Sequence, residues 1–328
     1  MIGGAWWVRQ NVIAGDDSPG GDENLRLVCG PDLADVCHAL AETDDSISVR
    51  VEPEAATAAA LTRPDKSGTP PFDAWLTVGP WPAMVAEERT RLNIDGQVLA
   101  TPTEVLARSP VTLVGRSDRV EALNAACGGT ATWSCLGEQS GTPWAAAGGN
   151  ASWGTVKAGL APPDTGAGLV ALDQAVADRT GRTDWDALDL DEATPWLGQL
   201  VGAATVTDDP LNVLLTRPGS FSFAAPLEQR SGPEIAGDRR PGFSSLYPEP
   251  VVTADVTLSA PTGADSNDVL ERLGADRLRD ALATHGWRVR GEPSAPGVGG
   301  GPKLPASSGL ASPGSLEALR NRWKELAS

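Results

Sequence analysis

The sequence predicts an α/β protein whose open, mainly parallel sheets are shared between two lobes. Length is the first reason, because 328 residues correspond to about two domains of ~150. The second is a strand–helix alternation that starts at Leu25 and repeats three times within seventy residues, the order that builds a parallel open sheet. The third is that similar units recur further along the chain, after Val111 and again after Val156.

The first units read cleanly. Leu25–Cys29 is a short apolar strand ending at Gly30-Pro31-Asp32, and the helix that follows is apolar at Leu33, Val36, Cys37 and Leu40, with Asp32 placed to cap it. Ile47–Val51 alternates as a strand, and Glu54–Thr62 is an Ala-rich helix. Asp73–Val78 is a third strand, and Trp81–Arg91 a helix opened by Pro82 in its first turn. Beyond it, Val111–Gly115 is a near-continuous apolar strand, Arg119–Cys127 a helix, and Ser152–Ala158 a strand. The loop Pro162–Gly168 opens the helix Leu169–Arg179, Leu197–Thr205 is helical, and Leu211–Thr216 is expected as a strand. Residues 228–245 read as a polar loop, Val251–Leu258 as a strand, and Asp268–His285 as one or two helices ending at Gly286. Arg290–Pro313 is rich in Gly, Pro and Ser without periodicity and is expected as a linker or disordered tail, with a short amphipathic helix over Leu316–Ala327.

Charge and cysteine usage narrow the function. Forty-three acidic residues against 26 basic give a net charge of −17, which leaves no basic stripe to replace phosphate counterions. A nucleic-acid partner is excluded on that ground. The same charge would be repelled by an anionic membrane surface. Cys29 and Cys37 form one pair and Cys127 and Cys135 another, each with a spacing of eight, which matches no common zinc pattern in a chain with two His. Two local disulfides in an oxidising compartment are expected, with four buried thiols as the alternative. The start, Met1–Val8 with Trp6 and Trp7, is expected to be either the outer end of a membrane anchor whose upstream part is missing or a plain tail, and residues 1–24 form a flexible leader.

The ordered set of units resembles the type 2 periplasmic-binding-protein fold, and within it the molybdate- and sulfate-type solute-binding proteins. Leu25–Leu40, Phe72–Arg91, Val156–Leu169, Leu246–Val252 and Asp268–Val289 carry the likeness, which spans residues 25–290. The resemblance implies a first lobe begun over 25–105, a second lobe over 106–216, a return over 217–290 and a tail over 291–328. Crossings are expected near Thr101–Val111 and Thr216–Leu227. It implies an extracellular solute-binding protein that serves an ABC-type uptake system, with a small-molecule ligand, a permease or a surface protein as partner, and no enzymatic activity. The alternative is a surface interaction or sensing module that keeps the fold without a transported ligand.

Ligands of open α/β sheets sit outside the carboxyl ends of the strands. That rule selects Gly30, Pro31, Asp32, Gly79, Pro80, Trp81, Trp153, Thr165, Gly166 and Thr216 as candidate ligand-binding residues. The oxyanion-binding relatives place hydroxyl residues after the first and third strands. Here Gly-Pro-Asp and Gly-Pro-Trp stand instead, and prolines remove N–H donors while Asp32 would repel an anion. Asp32 could equally cap its own helix, and Thr165 the helix after it. Gly166–Ala171 loosely fits a dinucleotide-binding pattern but lacks the strand directly before it. The run Asp184–Glu192 lacks the spacing and Gly of a calcium loop and is expected to be a solvated face. His38 and His285 have no nucleophile placed beside them by any motif, so no catalytic residue, metal or cofactor is expected.

Overall fold

The computed structural model describes residues 24–63, 70–236, 240–293 and 295–327. The expected leader up to residue 23, with its Trp pair, therefore lies outside the described residues. Among the described residues, eleven strands form two sheets. In chain order they are β1 (Leu25–Cys29), β2 (Ile47–Val51), β3 (Ala74–Val78), β4 (Ala107–Pro110), β5 (Leu113–Arg116), β6 (Ala158–Leu160), β7 (Thr205–Val206), β8 (Phe223–Ala224), β9 (Phe243–Leu246), β10 (Thr253–Ser259) and β11 (Arg288–Val289).

The first lobe holds the sheet β11-β4-β10-β3-β1-β2, and the second holds β7-β6-β8-β5-β9. Each sheet is mixed rather than mainly parallel. β1 runs parallel to β2 and β3, but β10 returns from the second lobe and lies antiparallel to both β3 and β4. In the second sheet β6 is parallel to β7 and β8, and β5 is antiparallel to β8 and β9. This is the two-lobed fold of the type 2 periplasmic-binding proteins.

Twelve helices among the described residues cover the sheets: α1 (Ala34–Thr43), α2 (Glu54–Leu61), α3 (Trp81–Arg91), α4 (Ser117–Ala126), α5 (Trp133–Gln139), α6 (Gly166–Thr180), α7 (Ala187–Ala203), α8 (Pro210–Thr216), α9 (Glu228–Ile235), α10 (Ser266–Leu273), α11 (Ala275–Thr284) and α12 (Pro313–Leu326). The central one is α6. Every residue from Gly166 to Ala177 is buried, because the helix belongs to the second lobe yet also packs against β3, β10 and the Pro31–Leu33 turn of the first.

The hinge is built from two neighbouring segments. Val111 bridges Leu227, and the Thr112 amide and hydroxyl both donate to the Pro226 carbonyl, at 2.9 and 3.0 Å. Val111 ends the first expected crossing, whereas Thr216–Leu227 is followed by α9 and then β9 of the second sheet, so it is not the final return to the first. A further connection, 247–252, leads from β9 to β10.

Five further expectations are corrected. Leu211–Thr216 is helix α8 rather than a strand, because Asp209 accepts from the Asn212 amide and Pro210 occupies the first turn. Ser152–Ala158 is a 3-10 turn, Ala151–Trp153, and a link into β6. Within residues 228–245, Glu228–Ile235 form α9 and β9 starts at Phe243, so the stretch is not a continuous loop. Since β8 and β9 lie in the second sheet, that lobe extends to Leu246 rather than ending at 216. Finally, the segment after Arg290 is fixed in place. The Ser308 carbonyl accepts from the Thr253 amide, Arg108 donates to the Pro305 and Ala306 carbonyls, and Leu316, Leu319 and Trp323 of α12 are buried.

The cysteines pair as the spacing suggests. Cys29 is disulfide-bonded to Cys37, and Cys127 to Cys135. The first bond ties the end of β1 to α1. The second ties the residue that ends α4 to the first turn of α5. Of the four, Cys29 and Cys37 are fully buried, whereas Cys127 and Cys135 are partly exposed at the edge of the core. The alternative of four buried thiols is therefore set aside.

Candidate functional site

A cavity of about 450 Å³ opens between the lobes beside the hinge. The first lobe contributes the Pro31–Asp32 turn, Asp35 at the start of α1, and His285 at the end of α11. The second contributes Thr165, Asp208 and Asp209, and the hinge contributes Pro226, Leu227 and, from α9, Arg230 and Glu234.

The Pro31–Asp32 turn is positioned by β1, whose Cys29 is tied to Cys37 of α1. Asp32 does not cap its own helix, since neither the 3-10 turn at Pro31 nor α1 has a side-chain cap. Instead its Oδ2 accepts from the Ala167 amide of α6 at 2.8 Å. Burial pushes the Asp32 carboxyl up to about 6, with the Ala167 amide opposing and the charge of Asp209 adding to the rise. Asp209 itself caps α8 and pairs with Arg230 at 3.3 Å. Arg230 also reaches Glu234 at 3.6 Å, so the one arginine of the cavity is already shared between two carboxylates. Asp35 and Asp208 are exposed to the cavity solvent. The lining is therefore acidic, out of proportion to its single arginine.

Of the residues selected from sequence, Pro31, Asp32 and Thr165 line the cavity. Gly30 and Gly166 sit behind it, on either side of Glu54. Gly79, Pro80, Trp81, Trp153 and Thr216 do not line it. Trp81 is fully buried beneath α12, with the Arg320 guanidinium 4.8 Å from its ring centroid. Gly79 faces Val170 of α6 across the lobes. Trp153 packs edge-on against Trp144 inside the second lobe, and Thr216 turns back to the Asn212 carbonyl of its own helix. The disulfide residues Cys29, Cys37, Cys127 and Cys135 do not line the cavity either. The first pair braces its floor through the Pro31–Asp32 turn, and the Cys127 to Cys135 bond braces the second lobe.

Sequence reasoning missed Asp35, Asp208, Asp209, Arg230, Glu234 and Glu54. For Asp209 the signal was present, an Asp directly before Pro at a helix start. The Asp184–Glu192 run contains a reciprocal cap, Asp186 with Asp189, that starts α7. Among the described residues, no group of three His, Cys, Asp or Glu is placed to hold a metal ion.

Comparison with known proteins bears on this geometry at the level of the fold. The structure is similar to the TpPotD lipoprotein of Treponema pallidum, with a TM-score of 0.57, 12% identity, and 92% of this chain and 98% of that one covered. It is similar to a periplasmic thiamin-binding protein, with a TM-score of 0.56, 10% identity and coverage of 93% and 96%. A third likeness is to the periplasmic binding protein P5PA, with a TM-score of 0.54, 13% identity and coverage of 93% and 99%. No family model and no curated protein matches the sequence. These likenesses extend over both lobes and are not particular to the molybdate and sulfate binders.

Proposed function

We propose that this chain is an extracellular solute-binding module that closes two lobes on a small ligand in the hinge-side cavity. The observation that carries the reading is the cavity itself, lined from both lobes and from the hinge between them. A site of that kind changes shape when the lobes rotate, which couples ligand capture to domain closure. The two disulfides support an oxidising, extracellular location. Delivery to an ABC-type permease is the role that the structural neighbours suggest, and binding rather than catalysis is the activity.

The acidic lining favours a solute that carries positive charge, such as an organic amine, over an oxyanion. A cation would relieve the mutual repulsion of Asp32 and Asp209, and an anion would add to it. The test is a thermal-shift panel of amines, amino acids, sugars and oxyanions. A ligand present at a hundred times its Kd adds about 2.7 kcal/mol to the folded state. Stabilisation by an amine, lost in Asp209→Asn or Asp35→Asn, supports the reading. Silence across every class counts against solute binding and favours a surface interaction module. That second reading draws on one observation: the first amides of α6, where an anionic ligand would bind, are all engaged within the chain.

A further inference from the structure

A helix N-terminus leaves its first amides without intrahelical partners and draws anions to them. In α6 each of these amides is engaged. Gly166 N donates to Glu54 Oε2 at 3.0 Å, Ala167 N to Asp32 Oδ2 at 2.8 Å, and Gly168 N to Thr165 Oγ1 at 3.2 Å. The regular helical bond begins with Leu169 N to the Thr165 carbonyl at 3.0 Å. Two of the three acceptors are carboxylates supplied by the other lobe.

Glu54 is the deeper of the two. It is 0% exposed, and its Oε1 has no hydrogen-bond partner among the described residues. Native structures rarely leave a buried carboxyl oxygen in that condition, and burial together with the nearby charge of Asp32 raises this carboxyl well above its ordinary value. The chamber around it is made by glycines from both lobes. A Cβ at Gly30 would overlap Oε1, and one at Gly166 would stand 3.0 Å from Oε1 and 2.6 Å from the Val78 Cβ. The first turn of α2 is held in line by Ala55 N, which donates to the Asp164 carbonyl just ahead of α6 at 3.1 Å.

We propose that the space between Gly30, Val78 and the first amide of α6 is a carboxylate-binding site that the chain fills with its own Glu54. The side chain acts as a tethered ligand that joins the lobes while the hinge-side cavity stands open to a solute. Tethering gives the Glu54 carboxyl a high effective concentration at the site, so dilute free anions do not displace it. This assignment is independent of the cation reading of the neighbouring cavity.

The test removes the tethered group and offers it back. Glu54→Ala is purified and melted in sodium formate and in sodium chloride at equal concentration, beside the parent and Glu54→Gln, whose side chain still fills the chamber. Formate should raise the melting temperature of Glu54→Ala by several degrees and leave the other two unchanged. Should Glu54→Ala fold only in formate, that also supports the assignment. Equal responses in parent and variant overturn it. So does a Glu54→Ala protein that gains neither folded yield nor melting temperature from formate.

Discussion

Asp32 and Ala167, 135 positions apart, are joined by a 2.8 Å hydrogen bond from the amide of the helix in one lobe to the carboxylate of the turn in the other. Replacing Asp32 by Ala strips that amide of its acceptor at a half-buried position. The expected loss is about 1–3 kcal/mol. Asp32→Asn keeps an acceptor oxygen and should lose less than Asp32→Ala, as measured by urea denaturation at neutral pH.

Stability should fall as pH rises from about 4 to 8. Asp173, inside α6, is pushed up to about 8 by burial, with the Ala311 amide and the Trp185 indole opposing, and Asp32 is pushed up to about 6. Each group in the unfolded chain has a pKa near 3.8. Between the unfolded and folded values the folded protein binds a proton that the unfolded chain has released, so raising pH favours unfolding. Asp44, Asp73 and Glu88 have lowered values, and their contribution is lost only below the usual carboxylate range. Asp173→Asn should flatten the decline between pH 6 and 8, and a melting series across pH in the two proteins measures it.

Glu228 and Arg288 form a buried bidentate pair, both contacts 2.7 Å, with side chains 1% and 5% exposed. Tyr247 and the Gly299 amide donate to the same carboxylate, so four separate stretches of chain meet there. Arg288→Met should cost about 3–5 kcal/mol, because it leaves a buried carboxylate without its counter-charge. Adding Glu228→Gln should recover part of that loss, which a double-mutant cycle reads directly.

Leu319 of α12 is 0% exposed, on a helix that packs against α3 of the first lobe and α6 and α7 of the second. Leu319→Ala should cost about 2–5 kcal/mol in chemical denaturation, the range for truncating a core leucine. A freely moving tail would give no measurable change.

The strand–turn–helix units at Leu25 and Asp73 were legible because an apolar run, a turn residue and a helical period follow one another without interruption. Leu211–Thr216 was not, since six residues of which four are Leu or Val fit either element, and only the cap at Asp209 decides it. The segment after Arg290 misled because its order comes from backbone hydrogen bonds to distant partners, which leave no periodic trace. The β1 turn and Thr165 were legible as cleft loops from strand ends alone. Glu54 was not: an acid in the first turn of a helix already satisfies that helix's own dipole, and nothing local says that it reaches an amide 112 positions on. The cavity's acids at 208, 209 and 234 come from elements whose type or place in the fold had been read differently.

The placement of α12 also bears on how the molecule is made. It follows every strand in chain order, yet Arg320 on it pairs with Asp164 of one lobe at 2.7 Å and lies over Trp81 of the other. During synthesis, both sheets are complete in sequence before this brace exists. The lobes acquire this relative position only once α12 docks, and Trp81 stays uncovered until it does.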